Sequence, residues 1–293
     1  MRPLVFALLL CLALPAQAQM EDVVIETTPL TDSLHMLKGR GGNLVVCTGS
    51  DGIFLVDDQY APLSEKIMAA VAEIQEGPVR FVLNTHWHGD HTGGNENFGE
   101  TGSVIVAHDN VRARMSTDQF NEFFDRETKA SPKGALPVVT FSDGLTFHMN
   151  NLTLEITHFA HAHTDGDAVV FFREANVIHT GDIVFHGLYP FIDVDSGGSI
   201  DGVIAACEAI LEMSDDATRI VPGHGPVIGR AEIVTYRDML IEIRDRVAAR
   251  IAAGDDLDAV LAAKPTADWD EELGHVWLTG DQVTELVYRS LKD

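Results

Sequence analysis

A cluster of metal-ligand side chains follows a short apolar segment in the first third of the chain. Residues 84–95 have the sequence NTHWHGDHTGGN, and six consecutive positions hold four such side chains: His86, His88, Asp90 and His91. Imidazole and carboxylate groups are usual ligands of zinc, which takes three or four of them in proteins. On an extended segment His86 and His88 point the same way, and Gly89 lets the chain turn before the other pair. The segment therefore predicts a metal-binding loop rather than a solvated turn.

A metal pair needs ligands from elsewhere in the chain, and three later segments offer them. Each places a histidine or an aspartate in a glycine-containing turn directly after an apolar run: residues 161–167 (HAHTDGD), 179–182 (HTGD) and 221–226 (VPGHGP). Because neighbouring strands of a sheet end at common edges, all of these turns could converge on one edge. If the first cluster binds metal together with these turns, the fold of the chain has to bring all four segments together.

The apolar pattern divides the chain into two similar halves, and each half runs from strands to helices. Apolar runs predict strands at 43–47, 53–56, 79–83, 104–107 and 219–221, a β-meander over 138–159, and a hairpin over 168–179. Apolar residues at intervals of three and four predict helices at 64–75, 200–213 and 233–251, with shorter ones near 256–263 and 281–291. This order suits two sheets sandwiched between helices, in one domain over residues 19–293 with C-terminal helices from about 229.

Residues 110–137 are less regular than the rest of the chain. They mix exposed aromatic residues, charges and two prolines. Two interpretations remain open: a surface insertion that forms a substrate loop, or a plain linker with short helices.

The first eighteen residues have the pattern of a secretory signal peptide. A basic start at Arg2 precedes an apolar run over 4–14, and residues 16–18 (AQA) form a small-residue cleavage site. The run is too short to span a bilayer as a mature helix. We therefore expect cleavage, no stable membrane insertion afterwards, and a periplasmic or secreted location. Cys47 and Cys207 then remain, and their apolar surroundings predict buried free thiols, although an oxidising compartment would permit a disulfide.

The charge of the chain restricts its partners. The formal net charge is −25, and loss of Arg2 with a signal that holds no acidic residue would make it −26. Such a surface repels nucleic acid and anionic membranes, both of which need basic patches for binding. We expect a small-molecule substrate and no nucleic-acid partner.

Over about residues 30–250, the ligand segments resemble those of the metallo-β-lactamase superfamily. The family motif H-x-H-x-D-H stands here as residues 86–91, HWHGDH. The later ligand positions of the family match His163 before Thr164, Asp182 after a strand, and His224 in PGHG. Asp57, which ends the run IFLVD, matches an acid that family members use behind the ligands.

The resemblance implies a four-layer αββα sandwich of mixed α/β class that holds two zinc ions, with iron or manganese as other candidates. One ion would take His86, His88 and His163. The second ion would take Asp90, His91 and His224, and Asp182 would bridge the two.

The assignment within the segment HAHTDGD needs a choice between two histidines. His161 and His163 have the same strand parity, so either could face the metal. The adjacent Thr164 and Asp165 favour His163. His161 is then either a residue behind the ligands or a simple surface histidine.

The same resemblance implies hydrolysis without a covalent intermediate. Two zinc ions can share one water and lower its pKa to near neutrality, and a metal-bridging hydroxide then attacks a carbonyl carbon. Asp90 and Asp182 would act in catalysis by reducing the positive charge of the site and orienting this hydroxide. An exported enzyme would meet β-lactams and other small carbonyl compounds, which favours an amide or ester hydrolase of β-lactamase-like type.

Two alternatives remain open. Members with β-lactamase activity commonly carry cysteine or serine where this chain has Asp182, and an aspartate there resembles glyoxalase II, lactonases and related thioester or phosphoester hydrolases. The predicted signal peptide argues against a glutathione thioesterase, whose substrate is mainly cytoplasmic. Some proteins of this fold instead bind iron in the same ligand frame and act as oxidoreductases, which metal analysis would reveal.

Aromatic residues beside the ligand segments are candidates for the wall of an apolar substrate pocket: Trp87, Tyr189 and Phe191. The alternative is that these rings pack beneath the neighbouring loops and contribute to stability.

Overall fold

Two β-sheets face each other in the computed structural model, which describes residues 20–292. The N-terminal sheet contains seven strands: β1 (Glu26–Pro29), β2 (Leu34–Lys38), β3 (Leu44–Cys47), β4 (Ile53–Val56), β5 (Val79–Leu83), β6 (Val104–His108) and β9 (Val139–Phe141). The first four strands pair antiparallel, and β4, β5, β6 and β9 pair parallel. The predicted signal peptide, residues 1–18, lies outside the described residues.

The C-terminal sheet contains five strands: β10 (Gly144–Met149), β11 (Leu152–Phe159), β12 (Asp167–Phe172), β13 (Val177–His179) and β14 (Arg219–Val221). The strands β10 to β13 pair antiparallel in sequence order, and β13 and β14 pair parallel. A separate hairpin, β7 (Gln119–Asn121) and β8 (Arg126–Thr128), lies in the irregular segment between the two halves. The parallel pairing of β13 and β14 brings their carboxyl ends to the same edge.

Helices cover the outer faces of both sheets. In the N-terminal half these are α1 (Ser64–Ile74), α2 (Gly89–Thr92), α3 (Asn95–Glu100) and α4 (Asp109–Met115). In the C-terminal half they are α5 (Ile200–Met213), α6 (Arg230–Ala252), α7 (Leu257–Ala262), α8 (Asp270–Leu273) and α9 (Gly280–Ser290). Short 3-10 helices lie at Ala61–Leu63, Lys133–Ala135, Gly181–Ile183 and Val194–Ser196. Over residues 20–292, no helix combines the length and the apolar character that crossing a membrane needs.

The apolar side chains form three large layers of packing. A central core joins the two sheets, with Val45 and Phe54 from one and Ile156 and Phe172 from the other. The outer face of the N-terminal sheet packs on α1, and the outer face of the C-terminal sheet packs on α5, α6 and α9. All four residues of β4 are buried because both faces of that strand are covered. This arrangement confirms the predicted αββα sandwich.

One sequence prediction about the sheets is wrong. The run 138–141 was expected to begin a meander with β10 and β11, but β9 pairs parallel with β6 in the N-terminal sheet. Residues 142–143 then lead the chain across to β10 in the other sheet. An apolar pattern indicates that a strand exists and which of its faces is buried, but it does not identify the neighbouring strand.

Cys47 and Cys207 are both buried and free, as their apolar surroundings predict. Cys47 lies in the central core, whereas Cys207 lies in the outer core beneath α6. Burial raises the pKa of the Cys207 thiol to about 12, so this side chain behaves as an apolar packing group.

Candidate metal centre

The structure brings the seven predicted ligand side chains together at one edge of the sandwich. The loop after β5 carries the first cluster, and the short helix α2 turns Asp90 and His91 towards the other ligands. His163 lies between β11 and β12, Asp182 in the 3-10 helix after β13, and His224 in the turn after β14. The ligand atoms form two groups, one of four residues and one of three.

Three histidines and one aspartate form the first group. His88 Nδ1 lies 3.1 Å from His86 Nε2 and 2.9 Å from His163 Nε2. Asp182 Oδ2 lies 3.8 Å from the Nε2 atoms of both His86 and His163. Zinc in tetrahedral coordination, with Zn–N bonds of about 2.0–2.1 Å, separates its ligand atoms by about 3.3 Å. The first group therefore has the dimensions of a four-ligand metal site.

The second group contains Asp90, His91 and His224 and approaches the same aspartate. Asp90 Oδ2 lies 3.3 Å from His224 Nε2 and 3.7 Å from His91 Nε2. Asp182 Oδ1 lies 3.1 Å from His91 Nε2, and Asp182 Oδ2 lies 3.5 Å from His224 Nε2. Asp182 is thus in reach of ligand atoms from both groups.

Hydrogen bonds at the other ring nitrogen orient the three histidines of the first group. His86 Nδ1 contacts Thr85 Oγ1 at 3.0 Å, and His163 Nδ1 donates to the carbonyl oxygen of Phe191 at 2.7 Å. His88 uses Nε2 instead, which donates to Asp193 Oδ2 at 2.8 Å and leaves Nδ1 to face the site. Such partners select the tautomer and the ring orientation of a metal ligand.

Asp57 lies directly behind the ligands. Its carboxylate accepts hydrogen bonds from His91 Nδ1 and from the backbone N–H and hydroxyl of Thr85, each at 2.8 Å. The side chain is fully buried, and its backbone has a φ of 60°, in the left-handed region. One carboxylate therefore positions His91 and the start of the loop that carries His86.

Asn43 holds the turn that carries His224. Its backbone N–H donates to Gly223 O at 2.7 Å, and its side-chain amide donates to Pro222 O and Gly225 O at 2.9 and 2.8 Å. These bonds fasten the C-terminal turn to the N-terminal sheet. The spacing between the two ligand groups therefore depends on contacts between the two halves of the sandwich.

The packing around the site fits a metal ion. His91 Nε2 and Asp182 Oδ1 are buried, and within the described residues neither has an aligned hydrogen-bond partner. The two atoms face each other at 3.1 Å, and a divalent cation ligated by both would satisfy both. Glycines provide the room: a Cβ at Gly42 would lie 2.1 Å from His91 Cε1, and one at Gly223 would lie 1.9 Å from Asp182 Oδ1.

Burial keeps two ligands of the first group neutral. It lowers the pKa of His86 well below its usual value, and His91 adds to this shift. Burial and the neighbouring His88 lower the pKa of His163 to about 4. A histidine binds a metal in its neutral form, so both side chains are in the binding-competent state at neutral pH.

Carboxylates dominate the electrostatics of the second group. Burial alone would lower the pKa of His224, but Asp182 and Asp90 outweigh it and raise the pKa to about 9. Burial would likewise raise the pKa of Asp90, but His91 and His224 lower it to about 2. These residues form ion pairs in the absence of a metal, and a metal ion has to displace the protons to bind.

The ligands differ in exposure. His86, His91, His163 and Asp182 are nearly inaccessible, and we call them the buried ligands. The side chains of His88, Asp90 and His224 are 17%, 22% and 24% exposed. The open side of the site is therefore next to these three residues.

Of the other predicted site residues, some lie at the metal centre and others do not. His161 is exposed, and its Nδ1 donates to Gly197 O rather than approaching the ligands. Trp87 packs beneath His88 in a small apolar cluster with Val111 and Met115. Phe191 contacts the ligands, with ring centroids 5.9 Å from His88 and 5.8 Å from His163.

Tyr189 does not line the site, contrary to the pocket hypothesis. It is fully buried, and its hydroxyl donates to Asp270 Oδ1 and contacts Thr266 O, at 2.9 and 3.1 Å. The ring belongs to the core beneath the C-terminal helices. The neighbouring Phe191 reaches the ligands, so the aromatic run supplies one packing ring and one ring at the site.

Sequence reasoning missed several residues that shape the site. Asp193 orients His88, Thr85 contacts His86, and Asn43 holds the turn of His224. Trp277 and Phe185 also lie against the site, with ring centroids 6.1 Å apart. For Thr85 a signal existed, since it directly precedes the histidine cluster, whereas the others come from segments that carry no ligand motif or are distant in sequence.

The fold and the paired His/Asp groups define a metal-binding protein of the metallo-beta-lactamase superfamily. The family model of this superfamily matches residues 33–224, which is more than half of the chain, and the chain belongs to this family. All seven ligand side chains lie within the matched residues. Most members of this superfamily are hydrolases.

Two curated relatives illustrate the range of similar proteins. The lactamase-like protein aptB of Emericella nidulans is 27% identical over 184 residues, which cover 63% of this chain and 50% of that protein. The atrochrysone carboxyl ACP thioesterase of Aspergillus terreus is 26% identical over 186 residues, 63% of this chain and 49% of that protein. The chain thus spans about half the length of these relatives.

Among solved structures, the metallo-beta-lactamase from Pontibacter korlensis superposes with a TM-score of 0.62. The superposition covers 74% of this chain and 98% of that chain, at 18% sequence identity. At this identity the likeness establishes the shared fold.

Proposed function

We propose that the protein is an exported hydrolase that holds two zinc ions and cleaves a small amide or ester carbonyl substrate, in the manner of β-lactamase-type members. The observation that carries this proposal is the position of Asp182. Its carboxylate oxygens lie 3.1–3.8 Å from ligand nitrogens of both groups. A residue shared in this way suits two ions side by side rather than one ion with spare ligands.

In this proposal each ion has its own set of ligands. His86, His88 and His163 would hold one zinc, and Asp90, His91 and His224 the other, with Asp182 between them. Zinc bound there would lower the pKa of a water molecule and polarise a carbonyl group. Asp90 and Asp182 would offset the positive charge, and the Asp90 side chain is partly exposed at the open side of the site.

A second candidate is hydrolysis of a thioester or a lactone. An aspartate at position 182, rather than cysteine or serine, favours this class on family resemblance. A relative that is named as a thioesterase, with 26% identity, supports it as well. Both candidates use the same ligands and differ in the leaving group of the substrate.

Metal analysis and a substrate screen test the proposal. Protein purified without added metal should contain about two zinc ions per chain. Iron in their place would favour the oxidoreductase alternative, because an imidazole and carboxylate donor set also accommodates iron. The zinc-loaded protein should then be tested on penicillins, carbapenems, simple esters, lactones, thioesters and phosphodiesters. Turnover of thioesters or lactones alone would select the second candidate, and turnover of phosphodiesters alone would overturn both.

Export is tested separately. We propose that residues 1–18 are removed and that residues 19–293 act as one domain. The support is the basic start, apolar run and small-residue cleavage site of the N-terminus. Mass spectrometry of protein from the periplasmic fraction or the medium should find Gln19 as the first residue. An intact N-terminus on cytosolic protein would contradict export.

A further inference from the structure

Aromatic rings line the open side of the metal centre. Phe191 and Phe185 are almost fully buried and lie against the ligands, and the plane of Phe185 is within 9° of that of His224 at 5.4 Å between centroids. Two more rings extend from them into solvent. Phe124 lies 5.0 Å from Phe191, and Trp277 lies 5.9 Å from Phe191 and 6.1 Å from Phe185. We call these four residues the aromatic rim.

The outer two rings of the rim are accessible to solvent. Trp277 is 48% exposed and Phe124 is 40% exposed, and their rings are nearly parallel, with an interplanar angle of 19°. Apolar surface of this kind is unfavourable in water unless a ligand covers it. The inner rings contact His88, His163 and His224, and the outer rings contact the inner ones, so only one layer of rings separates the exposed part of the rim from the metal ligands.

Specific contacts hold the hairpin that carries Phe124. Asn121 Nδ2 donates to Asp193 Oδ1 at 3.0 Å, and the backbone N–H of Glu122 donates to Asp195 Oδ2 at 2.8 Å. Arg289 of α9 pairs with Asp195 at 2.5 Å. Phe124 therefore has a defined position over Phe191, which an unconstrained surface loop would not provide.

We propose that the aromatic rim is a subsite for a flat apolar group of the substrate, so that the enzyme prefers aryl-bearing carbonyl compounds over aliphatic ones. This inference rests on the proposed hydrolase function and names its substrate class. Rings stack on rings, and aromatic walls are typical of small-molecule sites. The net charge of −25 repels substrates that are attached to a negatively charged carrier group. It therefore favours an uncharged substrate.

Hydrolysis of matched esters tests the preference. The zinc-loaded enzyme is given trifluoroethyl esters of 3-phenylpropanoic acid and of propanoic acid, which share a non-aromatic leaving group, and proton release is followed. The wild type should have the higher kcat/KM on the aryl ester. Trp277→Ala and Phe124→Ala should each reduce the aryl-to-alkyl ratio by about three- to tenfold. Trp277→Phe, which keeps a ring, should retain most of the ratio.

The chain offers matched controls for these variants. Phe120, on the same hairpin, is 56% exposed, and Val276, beside Trp277, is 61% exposed. Phe120→Ala and Val276→Ala remove exposed apolar groups outside the rim and should leave the ratio unchanged. An equal change in rim and control variants, or no change in any of them, would overturn the subsite.

Binding of a ketone that cannot be hydrolysed tests the subsite independently of the hydrolase proposal. Ligand-observed NMR should detect 4-phenyl-2-butanone on the metal-free and the zinc-loaded wild type, with about three- to tenfold weaker binding to Trp277→Ala. If neither these esters nor any compound of the substrate screen is cleaved but this binding difference is found, the hydrolase proposal fails and the subsite stands. If esters are cleaved and the ketone binds the wild type and Trp277→Ala equally, the subsite is refuted and the hydrolase proposal survives.

Discussion

The buried ligands of the metal centre and its aromatic rim differ in what holds them in place. His91 and His163 are inaccessible, and a hydrogen bond to a fixed group orients each ring. Phe124 and Trp277 extend from a hairpin and a loop, and nearly half of each side chain faces water. Buried polar contacts tolerate little change, whereas exposed rings can be exchanged at small cost in stability. We infer that the buried ligands determine the type of reaction and that the rim determines which substrate enters.

Asp182→Asn should have the largest effect, because it removes a negative charge that both ligand groups share. The side chain keeps its shape, so folding should be retained. We expect kcat/KM to fall by about 10³-fold or more and bound metal to fall below two ions per chain. Kinetics and elemental analysis measure the two quantities. Asp238→Asn, on the exposed surface of α6, is the control and should change neither.

Asp57→Ala should have the next largest effect, this time on stability. It leaves three buried donors without an acceptor: His91 Nδ1, Thr85 N and Thr85 Oγ1. Each such donor costs about 1–3 kcal/mol, so the free energy of unfolding should fall by about 3 kcal/mol or more. Urea unfolding of the metal-free protein measures this loss. Trp277→Ala, in the rim, removes a ring that is 48% exposed and should lose about 1 kcal/mol, and equal losses would contradict the contrast between the two regions.

Asp193→Asn should have an intermediate effect, because this carboxylate serves both regions. It accepts from His88 Nε2 at 2.8 Å and from Asn121 Nδ2 at 3.0 Å. Groups that orient a ligand in this way contribute about 10–100-fold to metal affinity. Competition with a chelator should detect a loss in that range for Asp193→Asn. Asn121→Ala removes the bond to Asp193 and the acceptor of the Phe124 backbone N–H, and it keeps the bond between Asp193 and His88. It should therefore reduce the aryl preference and leave metal affinity within about twofold.

Substitution of His108 should have the smallest effect, on the pH dependence of stability. This residue lies outside the metal centre and tests the acid sensitivity of the fold alone. Its Nδ1 accepts from the backbone N–H of Asn110 at 3.2 Å and caps α4, and its Nε2 donates to Ser142 O at 2.8 Å. The neutral ring therefore uses both nitrogens, and protonation breaks the cap. Burial lowers the pKa of His108, as does His158, which stacks on it at 3.7 Å. The other groups that face it raise the pKa: Ser142 O, Asp109 and Asp165.

The sign of the pH effect follows from this lowered pKa. Below the ordinary histidine pKa of 6.5, the unfolded chain takes up the proton more readily than the folded one. The contribution of His108 to stability is thus complete above that pH and decreases as the pH falls below it. His108→Asn keeps a capping side chain that does not titrate. Thermal unfolding between pH 7 and pH 5 should show a smaller loss for the variant, and identical losses would refute this role.

The fold was predictable to the extent that it depends on local patterns. The apolar residues of α1 and the continuous apolar run of β4 follow from periodicity and burial. The partner of β9 was not predictable, because pairing is decided by the loops and by the rest of the sheet. The same limit applies to Tyr189, whose hydroxyl bonds to a helix about eighty residues later.

The residues of the site also divide into those that local sequence patterns predict and those that depend on distant contacts. His86, His88, Asp90 and His91 are recognisable because they lie in one loop, and the more distant ligands because their turns resemble a family. Asp193 and Trp277 carry no such pattern. Their roles depend on contacts across 105 residues to His88 and on the packing of a C-terminal loop against Phe191. Contacts of this kind arise only when the whole sandwich is assembled.

The double use of Asp193 has a consequence for engineering. An attempt to change specificity by grafting another hairpin over residues 119–128 would alter the amide that binds Oδ1, and the same carboxylate holds His88 through Oδ2. A graft that keeps asparagine at 121 should keep the hairpin in place over Phe191. One that omits it would lose the bond to Oδ1 and with it the aryl preference, while Oδ2 still holds His88. Directed evolution of this entrance would therefore be expected to vary Phe124 freely and to retain Asn121.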